Sequence, residues 1–183
     1  MRPVRRDEIM DLQAYERSRA EIRAAVMAAK AKRRVHVAGV LTFLFDNTAT
    51  MRYQVQEMVR AERITKEEEI LHELETYNEL LGAKGELGCS LLIEIPEAAE
   101  RDRKLREWVD LPPHLYVKLE DGTQIWARFD PRQVGTDRLS SVQYLKFDVG
   151  GRTPVAVGSV LPALSASSAE QRAALAADLA SDG

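Results

Sequence analysis

The stretch from Phe43 to Ile64 does most to limit what this chain can fold into. It reads as the end of an apolar strand, a polar turn and then a helix. Phe43, Leu44 and Phe45 run into Asp46, Asn47 and Thr48, and Thr48 or Thr50 is expected to cap the helix through its side-chain oxygen. At about 100° per residue, Met51, Val55, Met58 and Val59 form one apolar stripe, and Glu62 falls in its middle. Gln54 and Glu57, three apart, share a neighbouring edge. A carboxylate on an apolar stripe is costly to bury unless it is paired. Glu62 is therefore expected to be buried, held by a basic or hydroxyl side chain from another element, because Arg60 is only half a turn away.

The rest of the chain supplies layers for that unit. Ile9, Leu12, Tyr15, Ile22, Val26 and Ala29 recur at helical steps, with one gap at Arg19, and predict a long helix over 7–33. Val35 to Phe45 predicts one strand, or a hairpin broken at Ala38 and Gly39. Thr65, Lys66, Glu67 and Glu68 match a capping box, so a further helix is expected with Ile70, Leu71, Leu74, Tyr77 and Leu81 on its buried face and Gly82 as its stop. Cys89 to Ile95 reads as a strand ended by Pro96. Residues 97–109 read as a charged helix with Ala98, Leu105, Trp108 and Val109 inward. Leu115 to Leu119 and Gln124 to Phe129 flank Asp121 and Gly122, a pair favoured in type I′ turns. Ser140 to Val149 alternates, with either Tyr144 or Leu145 inward beside Val142 and Phe147. Val155 to Val157 adds a last strand. About five or six strands in mostly meander connection predict an α+β fold, its sheet mostly antiparallel and its helices on one face.

Residues 1–158 read as a single α+β domain. Residues 159–183 read as an alanine- and serine-rich linker with a short C-terminal helix. A second capping box at Ser168, Ala169, Glu170 and Gln171 starts that helix, and Leu175 and Leu179 offer it a docking face on the body or on a second subunit.

Composition removes several function classes. The 26 basic and 29 acidic residues are mixed, giving a net charge of −3, which argues against a general polyanion binder. One cysteine, Cys89, excludes an internal disulfide framework and any cysteine-rich metal centre. It begins an apolar strand and reads as a small buried hydrophobe. No apolar run is long enough to span a membrane, and the N-terminal arginines precede no apolar signal core, so a cytoplasmic protein is the expectation. Phosphate loops, dinucleotide fingerprints and nucleophile elbows are missing.

Three constellations remain. Glu57 and Glu62, with Gln54, Arg60, Tyr77, Asn78 and Glu94 as neighbours, form either a carboxylate site for general-base chemistry or cation binding, or a structural network fixing how two helices pack. Glu69 and His72 have the spacing of half a di-iron ligand set, but neither His36 nor His114 follows an acid at the matching distance, so no metal or cofactor is assigned. Lys30, Lys32, Arg33 and Arg34 end the first helix, where they either complement its dipole or contact phosphate; nucleic acid is the weaker use.

The runs Phe45 to Asn47, Gln54 to Ile64, Glu73 to Leu80, Leu91 to Glu94 and Ser141 to Phe147 together resemble one bacterial family, catalogued as domain of unknown function thirty-five-oh-one. The resemblance spans most of the chain. It implies no assigned activity. Members often lie beside genes for rubrerythrin and iron–sulfur oxidoreductase subunits, which implies a non-catalytic accessory or interaction role, in a redox or peroxide-stress context, with a redox protein as partner or as a homo-oligomer. The family pattern carries a histidine in its late strand where this chain has Gln143.

Overall fold

Alternation along the strands decides the layers. In β1 (Arg34–Val37), β2 (Leu41–Asp46), β3 (Glu86–Ile93) and β7 (Val142–Asp148), the side chains of Val35, Val37, Leu41, Phe43, Phe45, Leu87, Cys89, Leu91, Ile93, Leu145 and Phe147 all enter one core. With β6 (Arg128–Phe129) these strands form a five-stranded sheet in the order β1-β2-β3-β7-β6, every pairing antiparallel. A second antiparallel sheet, β5-β4-β8-β9, comprises β4 (Leu115–Lys118), β5 (Gln124–Trp126), β8 (Ala156–Ser159) and β9 (Ala166–Ser168). Leu115, Val117 and Val157 from this sheet pack in the same core as Phe43 and Leu91. In this computed structural model the described residues are 1–168 and 172–180. The α+β fold with antiparallel sheets is as expected, its strands divided between two sheets.

The helices fill the remaining faces. α1 (Leu12–Ala31), α2 (Thr48–Ala61) and α3 (Glu67–Asn78) lie beyond the outer face of the larger sheet, where Met51, Val55, Val59, Ile64, Ile70, Leu74 and Leu81 build a second apolar cluster. α4 (Ala98–Glu107) and α5 (Arg172–Ala180) border the first core, through Leu105 and Trp108 beside α4's end and through Leu175 and Leu179. α5 is fixed by charge as well. Arg33 donates to both Asp178 oxygens, at 2.7 and 2.8 Å, and Asn47 Nδ2 donates to the same carboxylate at 3.0 Å. The capping box expected at Ser168 to Gln171 includes residues 169–171, outside the described residues. No helix among the described residues is long and apolar enough to cross a membrane.

Several local expectations change. α1 begins at Leu12, capped by the Asp11 side chain on the Ala14 amide, because Arg6–Glu8 form a separate helical turn. The break at Ala38 and Gly39 is a hairpin, with both residues left-handed at φ +54° and +72°. Asn47, rather than Thr48 or Thr50, caps α2: its side chain accepts from the Thr50 amide, and Thr50 Oγ1 accepts from the Asn47 amide. The Thr65 capping box does not form. α3 starts one residue later, with Lys66 at the cap and no capping side-chain bond, and Leu71 is exposed on its outer side. Ala98 is exposed as well. The Asp121–Gly122 loop places only Gly122 at positive φ, with Leu119 closing the loop through the Thr123 carbonyl, so it is not a type I′ turn. The strand expected over 124–129 switches sheets at Ala127, whose amide still bonds Leu115. In β7 the inward residues are Gln143, Leu145 and Phe147, which sends Val142 and Tyr144 to the other face.

Candidate functional site

Strand register builds the floor of a cleft on the helical side of the larger sheet. Arg34 pairs with Leu44, Leu44 with Ser90, and Ser90 with Tyr144, so these four side chains form one row across β1, β2, β3 and β7. The next row toward the hairpin contains Thr42, Leu92 and Val142, and the row on the other side contains Asp46, Gly88 and Lys146. Gly88 is required by what crosses it. A Cβ there would come within 2.3 Å of the Leu80 carbonyl oxygen, so only glycine lets the chain leaving α3 lie on the sheet.

That close crossing, together with α2 and the end of α1, closes the cleft. Met51 and Gln54 come from α2, Tyr77 and Leu80 from the end of α3, and Lys30 from the last turn of α1. The enclosed space is about 250 Å³. Asp46 forms its deepest polar group, 2% exposed. Ser90 Oγ donates to one Asp46 oxygen at 2.7 Å and Thr50 Oγ1 to the other at 3.1 Å. Burial pushes the Asp46 carboxyl above its usual range, and the two hydroxyls and nearby Lys30 oppose that only in part. Burial likewise lowers the Lys30 ammonium, which lies 5.7 Å from the centre of the Tyr53 ring.

The side chains of Lys30, Arg34, Gln54, Tyr77 and Tyr144 all line this cleft. None has a hydrogen-bond or ion-pair partner among the described residues. This is unusual in the chain, because most of its arginines are matched to an acid or a carbonyl. Unmatched donors around one concave, partly apolar space mark a binding site.

The carboxylates singled out from the sequence sit elsewhere and do different things. Glu57 faces α1, where Arg19 donates to both of its oxygens at 2.8 Å and Tyr15 Oη donates at 2.6 Å. Arg60 Nε stands 3.6 Å away, and Arg60 also reaches Glu16 at 3.4 Å. These partners, Arg19 foremost, hold the Glu57 carboxyl down at about 2, while burial and the bond to Glu57 push the Tyr15 hydroxyl up. Arg19, the gap in the apolar pattern of α1, is therefore the residue that fixes α1 on α2.

Glu62 is exposed, contrary to expectation. α2 ends at Ala61 with Glu62 as its C-cap, and Arg63 turns left-handed at φ +53°. The Ile64 amide then bonds Val59 and the Arg63 amide bonds Arg60, the pattern of a Schellman closure. Ile64 thereby takes the buried slot next to Val59, and Glu62 is left in solvent on an open groove with Glu69, His72 and Glu73. Glu69 and His72 are both exposed, and no group of three or more histidine, cysteine or acidic side chains among the described residues is arranged to hold a metal ion.

The remaining candidates divide between the cleft and the scaffold. Gln54 and Tyr77 line the cleft. Asn78 instead clamps the N-terminal segment, accepting from the Val4 amide at 2.8 Å and donating to its carbonyl at 3.0 Å. Gln56, which the sequence reading passed over, does the same to Met10 at 2.9 and 3.1 Å. Glu94 is exposed and accepts from the Thr42 hydroxyl, which also meets His36 Nδ1 at 2.8 Å. Gln143 is fully buried on the opposite face of the sheet from the cleft and donates to the Ser140 and Val142 carbonyls. Cys89 is buried, and burial pushes its thiol up. The fold divides the basic run at 30–34: Lys30 and Arg34 line the cleft, Arg33 is buried against Asp178, and Lys32 points outward.

Fold and site together define a small α+β protein with one polar, donor-rich cleft between its main sheet and its first three helices. Residues 3–182 match the family described as "Protein of unknown function (DUF3501)", and the chain belongs to that family. A crystal structure of a protein of unknown function from Burkholderia pseudomallei K96243 is similar, with 25% identity, a TM-score of 0.88 and 98% of each chain covered. No curated protein matches the sequence.

Proposed function

We propose that this is a non-catalytic accessory protein that acts by binding, with the cleft over the Arg34, Leu44, Ser90 and Tyr144 row as its recognition site. The observation that carries this reading is the difference in pairing. Glu57, the carboxylate marked out for chemistry, is engaged by Arg19 and Tyr15, while the donors around the cleft have no hydrogen-bond or ion-pair partner among the described residues. A general base works best with a pKa near the working pH, and a carboxyl held at about 2 is far from it. Glu62, in open solvent, does not join Glu57 in a shared site. Inside the cleft Ser90 commits its hydroxyl proton to Asp46, which positions its oxygen lone pairs as acceptors.

The gene neighbourhood implied by the family resemblance supports a redox protein, a rubrerythrin or an iron–sulfur oxidoreductase subunit, as the partner class to test first. Native mass spectrometry of the protein incubated with a small-metabolite extract, compared with Val142→Trp, tests the reading. The tryptophan fills the mouth of the cleft from a half-buried position. The expected result is a bound species on the natural protein only, released chemically unchanged. Conversion of that species into a product would replace binding by catalysis, and an adduct that survives Val142→Trp would move recognition to another surface. Co-purification of the two variants with the redox proteins checks whether the same cleft governs the partner.

A further inference from the structure

We infer that the cleft takes a small organic monoanion with an apolar or aromatic body, its anionic head held by Lys30 and Arg34 and its body laid across Leu44, Leu92 and Val142. This rests on the cleft being the recognition site and adds the chemistry of what it recognises.

The polar groups that line the cleft are mostly donors. Lys30 and Arg34 carry only donors, the Tyr77 and Tyr144 hydroxyls each offer one, and Gln54 adds an amide. None has a hydrogen-bond or ion-pair partner among the described residues, and Lys30 touches only the face of the Tyr53 ring. A ligand rich in acceptors satisfies them; an amine would add donors to donors and leave the lysine and arginine facing a like charge.

Charge around the cleft is unequal. Asp46 is the one acidic residue that lines the cleft, and its oxygens already accept from Ser90 and Thr50. Two cations against one carboxylate leave a single positive charge to neutralise. Lys30 also lies in the last turn of α1, at the negative end of the helix dipole, which further weakens the pull on a second anionic charge. A dianionic phosphate finds no third cation among the described residues that line the cleft.

Shape favours a partly apolar ligand. Leu44, Leu92, Val142, Met51 and Leu80 surround the polar groups with apolar surface, and the Tyr77 and Tyr144 rings border it. At about 250 Å³ the space is smaller than the roughly 300–1,000 Å³ of clefts that take drug-sized ligands, which selects a compact molecule.

Isothermal titration calorimetry of the full chain with benzoate, benzamide and benzylamine separates these arguments, because the three probes share a ring and differ in head-group charge. Benzoate is expected to bind at millimolar concentration, and the other two about tenfold more weakly or worse. Lys30→Met and Arg34→Gln should each weaken benzoate by about tenfold, whereas Lys32→Met, outside the cleft, should not. Arg34 is exposed on a strand, so Arg34→Gln keeps the test decisive if Lys30→Met fails to fold. Benzamide or benzylamine binding as well as benzoate, with Val142→Trp abolishing it, overturns the charge assignment and leaves the cleft as the recognition site. Benzoate binding that ignores both Lys30→Met and Arg34→Gln, or no benzoate binding at all, also overturns the inference. The metabolite adduct and its loss in Val142→Trp still decide separately whether the cleft is used.

Discussion

Glu57 lies within α2 and Asp46 just before it, and each carboxylate accepts from a hydroxyl and has a long cation nearby. Their surroundings drive them apart. At Glu57 the Arg19 guanidinium and the Tyr15 hydroxyl point at the carboxylate, so its charge is stabilised and its capacity is largely spent. At Asp46 two hydroxyls hold the carboxylate while burial opposes its charge, and Lys30, Tyr77 and Tyr144 line the cleft with no hydrogen-bond or ion-pair partner among the described residues. A closed network fastens helices; an open one waits for a ligand. Burial alone would have ranked them wrongly, since the more buried of the two carboxylates is the one beside unpaired groups.

Four substitutions break or sharpen that contrast. The largest effect belongs to the most enclosed network. Asp178→Ala strands Arg33 in a buried position and releases α5, and breaking such a pair costs about 3 kcal/mol. For a chain of this size that is a fall of about 6–12 °C in Tm by calorimetry. A fall of less than about 2 °C would mean that Leu175 and Leu179 hold α5 unaided.

Glu57→Gln comes next, lowering Tm at neutral pH by about 3–6 °C because Arg19 and Tyr15 lose a charged acceptor. The pH dependence follows from a carboxyl whose folded pKa is depressed from 4.5 to about 2. Its stabilisation is complete above the unfolded value and is lost as pH falls through about 2, so urea titrations of the two proteins should converge in acid. Benzoate affinity should be untouched.

Asp46→Asn has the opposite sign. Its folded pKa is raised, so the ionised form costs stability at neutral pH and the cost is relieved as pH falls through the folded value. The amide keeps the shape, and stability at pH 7 should hold or rise by up to about 1 kcal/mol, with the gain shrinking in acid. A loss as large as that of Glu57→Gln would place Asp46 among the closed networks.

The smallest effect is at the end of α2. Arg63→Gly relieves a left-handed residue and should raise stability by about 0.5–1 kcal/mol in urea unfolding. Ligand binding provides the control, since Arg63 does not line the cleft.

Periodicity located the elements. The Met51, Val55 and Val59 stripe faces a core, Cys89 opens into a buried strand and Gly39 breaks a hairpin, each as a two- or four-residue spacing indicates. The site was less visible. Gln54 and Tyr77 were marked as polar neighbours, but of Glu57. Asp46 read as a turn residue, and Lys30 and Arg34 as a helix end. Only Thr50, four residues on, is a local partner for Asp46; Ser90 is forty-four residues away.

What the sequence by itself determined is therefore what short-range geometry controls: where most of the strands and helices lie, the apolar face of most of them, and that Cys89 is buried. Tertiary structure alone decided the rest. The row of Arg34, Leu44, Ser90 and Tyr144 exists because four strands pair in one register, and register is set by hydrogen bonds between segments up to about sixty residues apart. Glu62 went to solvent because a left-handed arginine, a residue type with no preference for that conformation, let Ile64 take the buried slot. Pairing has the same origin: whether a lysine or a carboxylate is spent or free depends on what distant elements bring within about 3 Å of it, which local spacing does not record.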